Sequence, residues 1–239
     1  MKKSLALFLL IIAVTINACA PLATITSTPV PNVEPTTSMK MQIPTPAVPT
    51  KTSPSATRKQ YTNDVFILAF QYPSNWFGPS EYVSEGTLRV EIGSDVVYPY
   101  GERPEQSSSG KNSYNVVIQY TKNNQNSYWK NTYQALIRLK DGESLSNAKS
   151  LLIRVRQLNI GRFTGFEYVT TLSETAQTDH VFIRSIMVLD TQTNDLLTIM
   201  GQPINVEVVG GMAWRNICQT IDESNLIFFQ EIVESMTVT

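Results

Sequence analysis

From Tyr61 onward, apolar residues recur in two rhythms. Phe66, Leu68, Phe70 and Tyr72 hold alternate positions of an apolar run that Pro73-Ser-Asn-Trp76 closes as a turn. Leu88, Val90 and Ile92 interleave with Thr87, Arg89 and Glu91, the period-two signature of a half-buried strand. Tyr114 to Thr121 repeats that pattern, and Leu152 to Ile160 reads as another extended stretch. Gly161 and Gly165 flank a turn before the run from Phe166 to Leu172. Val181 to Leu189 and Leu196 to Met200 bracket the polar segment Asp190-Thr-Gln-Thr-Asn-Asp195, which predicts a hairpin. The second rhythm is helical. Trp129, Tyr133, Leu136 and Ile137 follow the Asn-rich turn Asn123-Asn-Gln-Asn126 and stop at Asp141-Gly142. Leu226, Phe229, Ile232, Val233 and Met236 put an apolar stripe on a second helix, with Asp222 or Ser224 as its cap. Ser144 to Ser150 reads as a short helical turn. Together these elements predict an α+β fold, an antiparallel sheet of about six strands whose apolar faces are covered by helices.

Ahead of this region the pattern changes twice. Met1-Lys2-Lys3 is a positive start, and the dozen residues from Leu5 to Ile16 are an apolar run. That run falls short of the roughly 20 residues needed to span hydrocarbon, so it reads as an export signal. It ends Ile16-Asn17-Ala18-Cys19, which resembles the bacterial lipobox: an aliphatic residue, a small residue directly before the cysteine, then the cysteine. The resemblance implies a signal peptide over 1–18, a diacylglyceryl group on the Cys19 thiol and acylation of the new amino group. It also implies attachment to a cell membrane on its extracytoplasmic side. The competing reading is an ordinary secretory signal in which Cys19 is incidental.

Residues 20–60 hold eight of the thirteen prolines and no glycine, with Thr and Ser between them, as in Pro44-Thr-Pro-Ala-Val-Pro49. Proline removes donors and presets polyproline dihedrals, so 19–60 is expected to be the lipidated cysteine and a core-less stalk of about 3 Å per residue, roughly 120 Å at full reach. All eleven glycines fall after residue 77, and the globular domain is assigned to 61–239.

Charge narrows the partners. The chain carries 19 basic and 20 acidic residues, net −1, and the segment 61–239 alone carries 13 basic and 19 acidic, net −6. That balance excludes a nucleic-acid binder running on bulk charge and disfavours polyanions as ligands. Chemistry-bearing residues are few. His180, after Asp179, could act as a base with a carboxylate behind it, but reads better as a turn residue, since no Gly-x-Ser-x-Gly elbow and no second His accompany it. Cys218 has no thiol partner once Cys19 is lipidated, and its neighbours Trp214, Ile217 and Ile221 predict a buried, inert side chain. Asp190, Asn194 and Asp195 offer oxygen ligands in one loop without the calcium-loop pattern, so no metal and no cofactor is assigned. Tyr72, Trp76, Tyr98 and Tyr100 could form an aromatic platform. Trp76 after Pro73 reads as a core plug, leaving Tyr98 and Tyr100, on the long polar loop from Val96 to Lys111, as the candidate ligand contacts.

Three segments carry a family resemblance: Phe70-Gln-Tyr-Pro-Ser-Asn-Trp76, Gly161-Arg-Phe-Thr-Gly-Phe-Glu-Tyr168 and Phe229-Gln-Glu-Ile-Val-Glu-Ser-Met236. They resemble the PsbP-like family and between them span most of 61–239. The resemblance implies an antiparallel sheet sandwiched between helices (an α/β/α sandwich), with a last helix running into a short extended piece, and a binding surface rather than catalysis. The family includes extrinsic subunits of the photosynthetic oxygen-evolving complex and bacterial lipoproteins on Thr/Pro-rich stalks. Its proposed metal sites use His and acidic residues that find no counterpart here. The expected function is a membrane-anchored, non-enzymatic binding or scaffolding module whose partner is an envelope protein or a small ligand. The rivals are a glycan or small-ligand binder using Tyr98 and Tyr100, and an envelope enzyme.

Overall fold

Period-two runs become strands, and a computed structural model of the chain shows where they pair. It describes residues 57–102, 112–147, 150–172, 181–207 and 209–238, all within the unit Ile43–Thr239. In chain order these give β1 (Arg58–Asn63), β2 (Leu68–Pro73), β3 (Phe77–Ser84), β4 (Thr87–Gly93), β5 (Ser113–Thr121) and α1 (Ser127–Leu136). There follow β6 (Ser144–Asn147), β7 (Ser150–Ile160), β8 (Phe163–Leu172), β9 (Val181–Asp190), β10 (Asp195–Ile204), α2 (Gly211–Glu234) and β11 (Thr237–Val238). Eight strands form one antiparallel sheet in the order β3-β4-β5-β10-β9-β8-β7-β6, and β1-β2-β11 form a smaller sheet.

The α+β class holds, with more strands than the periodicity predicted. Three were illegible: β1 shows one buried side chain, β3 is exposed along its length, and Ser144–Asn147 pairs with β7 as β6 where a helical turn was expected. Edge and half-covered strands carry no alternation to read, because neither face is reliably buried.

Alternation fixes two faces on the large sheet. One takes Leu88, Val90 and Ile92 of β4, Tyr114, Val116, Ile118 and Tyr120 of β5, and Leu197 and Ile199 of β10. This face is covered by α2 and by the small sheet, whose Phe66, Leu68, Phe70 and Tyr72 side, with Trp76, joins the same core. On α2 the buried positions Cys218, Ile221, Asp222, Phe229, Ile232 and Val233 keep helical spacing. The helix begins more than three turns earlier than the sequence suggested: Gly210 is its N-cap, Ser224 is an exposed mid-helix residue, and Asp222 is buried in an ion pair. A capping side chain inside a helix is free to serve tertiary structure, which is what Asp222 does. The helix then runs into β11, and the Ser235 hydroxyl accepts from the Gln71 amide at 2.9 Å, tying the helix end to β2.

The other face is covered in part by α1, where Tyr133 and Leu136 pack on Leu152, Phe166, Tyr168, Met187 and Leu196. The Asn126 side chain caps the helix on the Tyr128 amide. Its C-terminus is held from the sheet, since Arg154 donates to the carbonyls of Leu136 and Leu139 and pairs with Asp141 at 2.9 Å. Ile137 follows the last helical turn and is exposed rather than on the buried stripe.

Candidate functional site

Residues 1–56, with Cys19 and the proline-rich stalk, and His180 lie outside the described residues. What the structure does place are the sequence-predicted aromatics, the carboxylate hairpin and Cys218.

The four candidate aromatics separate. Tyr72 and Trp76 are buried in the core, Trp76 against the rings of Tyr114 and Phe228. Tyr98 and Tyr100 stay at the surface, 42% and 57% exposed. Tyr100 does not stand alone: its ring packs against Tyr82 of β3, tilted by 37° with centroids 4.6 Å apart, and the Arg89 guanidinium lies 5.2 Å from its centre. Cross-strand register explains the gathering. Tyr82 pairs with Arg89 and Arg89 with Gln119, so these three share the sheet face that α1 covers only in part. Glu91, two residues along β4, accepts from Arg89 Nη2 at 3.2 Å and from Asn115 Nδ2 at 2.6 Å. Asn115 is 3% exposed, and among the described residues its Oδ1 has no hydrogen-bond partner; nor has Arg89 Nε.

Sequence reasoning found Tyr98 and Tyr100 and missed Tyr82, Arg89, Glu91 and Asn115. The signal available was the polar half of the β4 alternation, Thr87, Arg89 and Glu91. Tyr82 was hidden because Gly78-Pro79 interrupts the run that contains it, and there the pairing of β3 with β4 shifts register.

The hairpin loop between β9 and β10 has its carboxylates already engaged. Asp190 accepts from Arg162 Nε at 2.7 Å and from the Gln192 amide at 2.9 Å. Asp195 accepts from the Tyr120 hydroxyl at 2.6 Å and the Asn123 amide at 2.9 Å. This knot ties the ends of β5, β9 and β10 to the β7–β8 turn, the structural role expected of a hairpin. The Gln192 amide, the Thr193 hydroxyl and Arg162 hold the Asp190 carboxyl below the usual carboxylate range. A depressed folded pKa contributes stability that is present above the unfolded value of about 3.9 and is lost as pH falls through the folded value. The gap in urea midpoint between wild type and Asp190→Asn is therefore expected to be widest near neutrality and to close below about pH 4. A gap of equal size at neutral and acid pH would contradict this.

Cys218 is 2% exposed, and burial pushes its thiol pKa up, which keeps it a thiol and out of reach. Two open grooves flank α1, about 240 Å³ beside Trp129 and Leu196 and about 290 Å³ beside Leu145 and Leu152. Both fall below the roughly 300–1,000 Å³ of pockets that enclose a small molecule. Among the described residues no three His, Cys, Asp or Glu side chains gather as a metal site.

A deeper cluster lies beneath α2. Arg184 bridges Glu167 at 3.1 Å and Asp222 at 2.8 Å, and Glu167 also takes Arg156 at 2.7 Å. The Tyr114 hydroxyl is buried beside Asp222, and burial raises its pKa far above the ordinary value. Arg184, Glu167 and Asp222 are enclosed by the helix, so this network fastens α2 to the sheet.

No family model matches the chain, and no curated protein matches it. Among solved structures it is similar to the Ran-binding protein Mog1p of Saccharomyces cerevisiae at 10% identity and a TM-score of 0.31, over 77% of this chain and 96% of that one. A mutant of the protein Mog1 gives 10% identity and a TM-score of 0.35, over 76% of this chain and 96% of that one. The solution structure of cyanobacterial PsbP (CyanoP) from Synechocystis sp. PCC 6803 gives 13% identity and a TM-score of 0.33, over 79% of this chain and 96% of that one.

Proposed function

We propose that this protein is a lipid-anchored, extracytoplasmic binding module. In this reading residues 1–18 are a signal peptide, Cys19 carries the fatty chains, the proline-rich segment up to β1 at Arg58 is a spacer, and the remainder is a non-catalytic domain that engages an envelope protein or a small ligand. The observation that carries it is the lipobox Ile16-Asn17-Ala18-Cys19 at the end of a short apolar run, followed directly by the proline-rich segment. Two or three acyl chains hold a protein firmly at a bilayer where one is marginal, so the chemistry at Cys19 decides whether the domain is tethered or free. A contact role is supported by the exposed aromatics of the domain, Tyr82 on β3 and Tyr98 and Tyr100 on the loop after β4. The acidic and basic side chains of the two ion networks face one another rather than a cleft.

The test is labelling with radioactive palmitate in the native host. Wild type is expected to take label and Cys19→Ala to take none; absence of label from both would overturn the anchor.

A further inference from the structure

We propose that Tyr82 and Tyr100 form a docking surface for the chain's own proline-rich segment, with Pro46-Ala-Val-Pro49 lying across the two rings. The inference goes beyond the spacer reading and does not depend on the lipid at Cys19.

The surface is already open. Tyr100 is 57% exposed and Tyr82 41%, although the two rings touch, tilted by 37° with centroids 4.6 Å apart. Tyr82 and the Arg89 guanidinium, 5.2 Å from the centre of the Tyr100 ring, support Tyr100 where it stands, so a ligand meets the rings with no rearrangement. Tyr82 belongs to β3, the outermost strand of the large sheet, and no described strand pairs along its far side.

Exposed tyrosine pairs of this kind take polyproline. A proline-rich strand is held in its extended helix before it binds, so little freedom is lost, and its pyrrolidine rings pack on aromatic surface. Three residues complete one polyproline turn, which puts prolines three apart on the same edge, about 9 Å from each other. Pro46 and Pro49 are the only prolines of the chain with that separation, and the residues between them, Ala47 and Val48, are apolar.

Attachment and length select this chain's own segment over a foreign one. The proline-rich segment enters the domain at β1, and Tyr61 of β1 donates its hydroxyl to Glu81, the neighbour of Tyr82. Arg58 stands three residues before Tyr61, about 10 Å along the strand. Pro49 precedes Arg58 by nine residues, about 28 Å in polyproline form, enough to return along β3 to Tyr82. A short tether holds its ligand at an effective concentration on the order of millimolar, at which even a weak contact is populated. Charge acts in the same direction: residues 20–60 carry four basic and one acidic side chain, net +3, against a domain of net −6. Once docked, the segment leaves 20–45 as free spacer, with a full reach of about 80 Å in place of roughly 120 Å.

The experiment follows the tyrosine ring resonances of the full-length lipidated protein in detergent micelles by NMR, as wild type and as the double variant Pro46→Ser, Pro49→Ser. Both substitutions precede β1, so neither touches the packed core. The Tyr82 and Tyr100 rings are expected to shift between the two proteins, and the buried Tyr72 ring to stay in place. A synthetic peptide of residues 43–52 is then titrated into each. It should saturate these rings in the double variant and bind wild type about tenfold more weakly, because the tethered segment competes with it. Tyr100→Ala added to the double variant should abolish saturation read at Tyr82. Tyr82→Ala, read at Tyr100, is the second arm should the loop rearrange in the first. Identical Tyr82 and Tyr100 resonances in wild type and double variant would overturn the proposal, as would equal peptide affinity for the two. A wild-type Tyr100 shift that vanishes on dilution would assign the contact to the segment of a second copy and overturn it equally. Palmitate labelling is untouched by any of these outcomes, so the two readings fail separately.

Discussion

Arg184→Met is expected to lower the unfolding free energy by about 3–5 kcal/mol, the cost of removing one partner from a buried ion pair. Arg184 is the cation between Glu167 and Asp222, and Asp222 is 1% exposed on the inner side of α2. Without the guanidinium both carboxylates keep their desolvation penalty. Glu167 retains Arg156, whereas no other cation bridges to Asp222 among the described residues. The loss should therefore concentrate where α2 meets the sheet. The effect is a property of the broken pair and not of its net worth, because buried ion clusters replaced whole by apolar groups are often neutral. The triple change Arg184→Met, Glu167→Gln, Asp222→Leu should accordingly recover much of the loss. Equilibrium urea unfolding measures both. A loss below about 1 kcal/mol for Arg184→Met, the range of an exposed pair, would contradict the burial on which the argument rests.

Gly165→Ala is the second large effect, at about 3 kcal/mol, the upper range of overpacking. Gly165 lies on β8, opposite Val188 of β9, and its own dihedrals are ordinary for a strand. The constraint is space: an ideal Cβ would stand 2.0 Å from the Met187 carbonyl oxygen and 2.7 Å from the Val188 Cα, both backbone atoms that cannot turn aside. A methyl group there parts β8 from β9 in the middle of the large sheet, and the pairing from Thr164 to Thr171 bears the strain. Gly210→Ala is the control. Its Cβ would meet nothing within 4 Å, and at an N-cap the change should cost no more than about 1 kcal/mol. For a domain of this size a 3 kcal/mol loss lowers the melting temperature by roughly 10 °C. Equal melting temperatures for the two variants would show that β8 and β9 are not as close as described.

How much of this was legible beforehand follows from what each residue's neighbours were doing. Leu88 to Ile92 and Tyr114 to Thr121 read as strands because one face meets the core under α2 and the small sheet, so burial wrote the alternation into the sequence. The β9–β10 hairpin was readable from its polar loop, though the role of its two aspartates as partners of Arg162 and Tyr120 was not. Those pairings join residues far apart in the chain, and no local spacing encodes them. Asp222 misled for the same reason: as a local letter it is a helix cap, and only the position of Arg184 across the fold makes it a buried ion. β3 and β6 stayed hidden as the two edges of the large sheet. The candidate site was half visible. Tyr98 and Tyr100 stood out as aromatics in a polar loop, while Arg89, Glu91 and Asn115 became neighbours only through the register of β4 on β5. Gly78-Pro79, which hid β3, hid Tyr82 with it.

The central claim is that a lipid-modified Cys19 holds the domain at a membrane, and intact-mass measurement of the protein extracted from native membranes tests it most directly. The expected result is a chain that begins at Cys19 and is heavier than its amino-acid sequence by a diacylglyceryl group, with or without a further amide-linked acyl chain. A chain that retains residues 1–18, or one that carries Cys19 as a bare thiol, would contradict it.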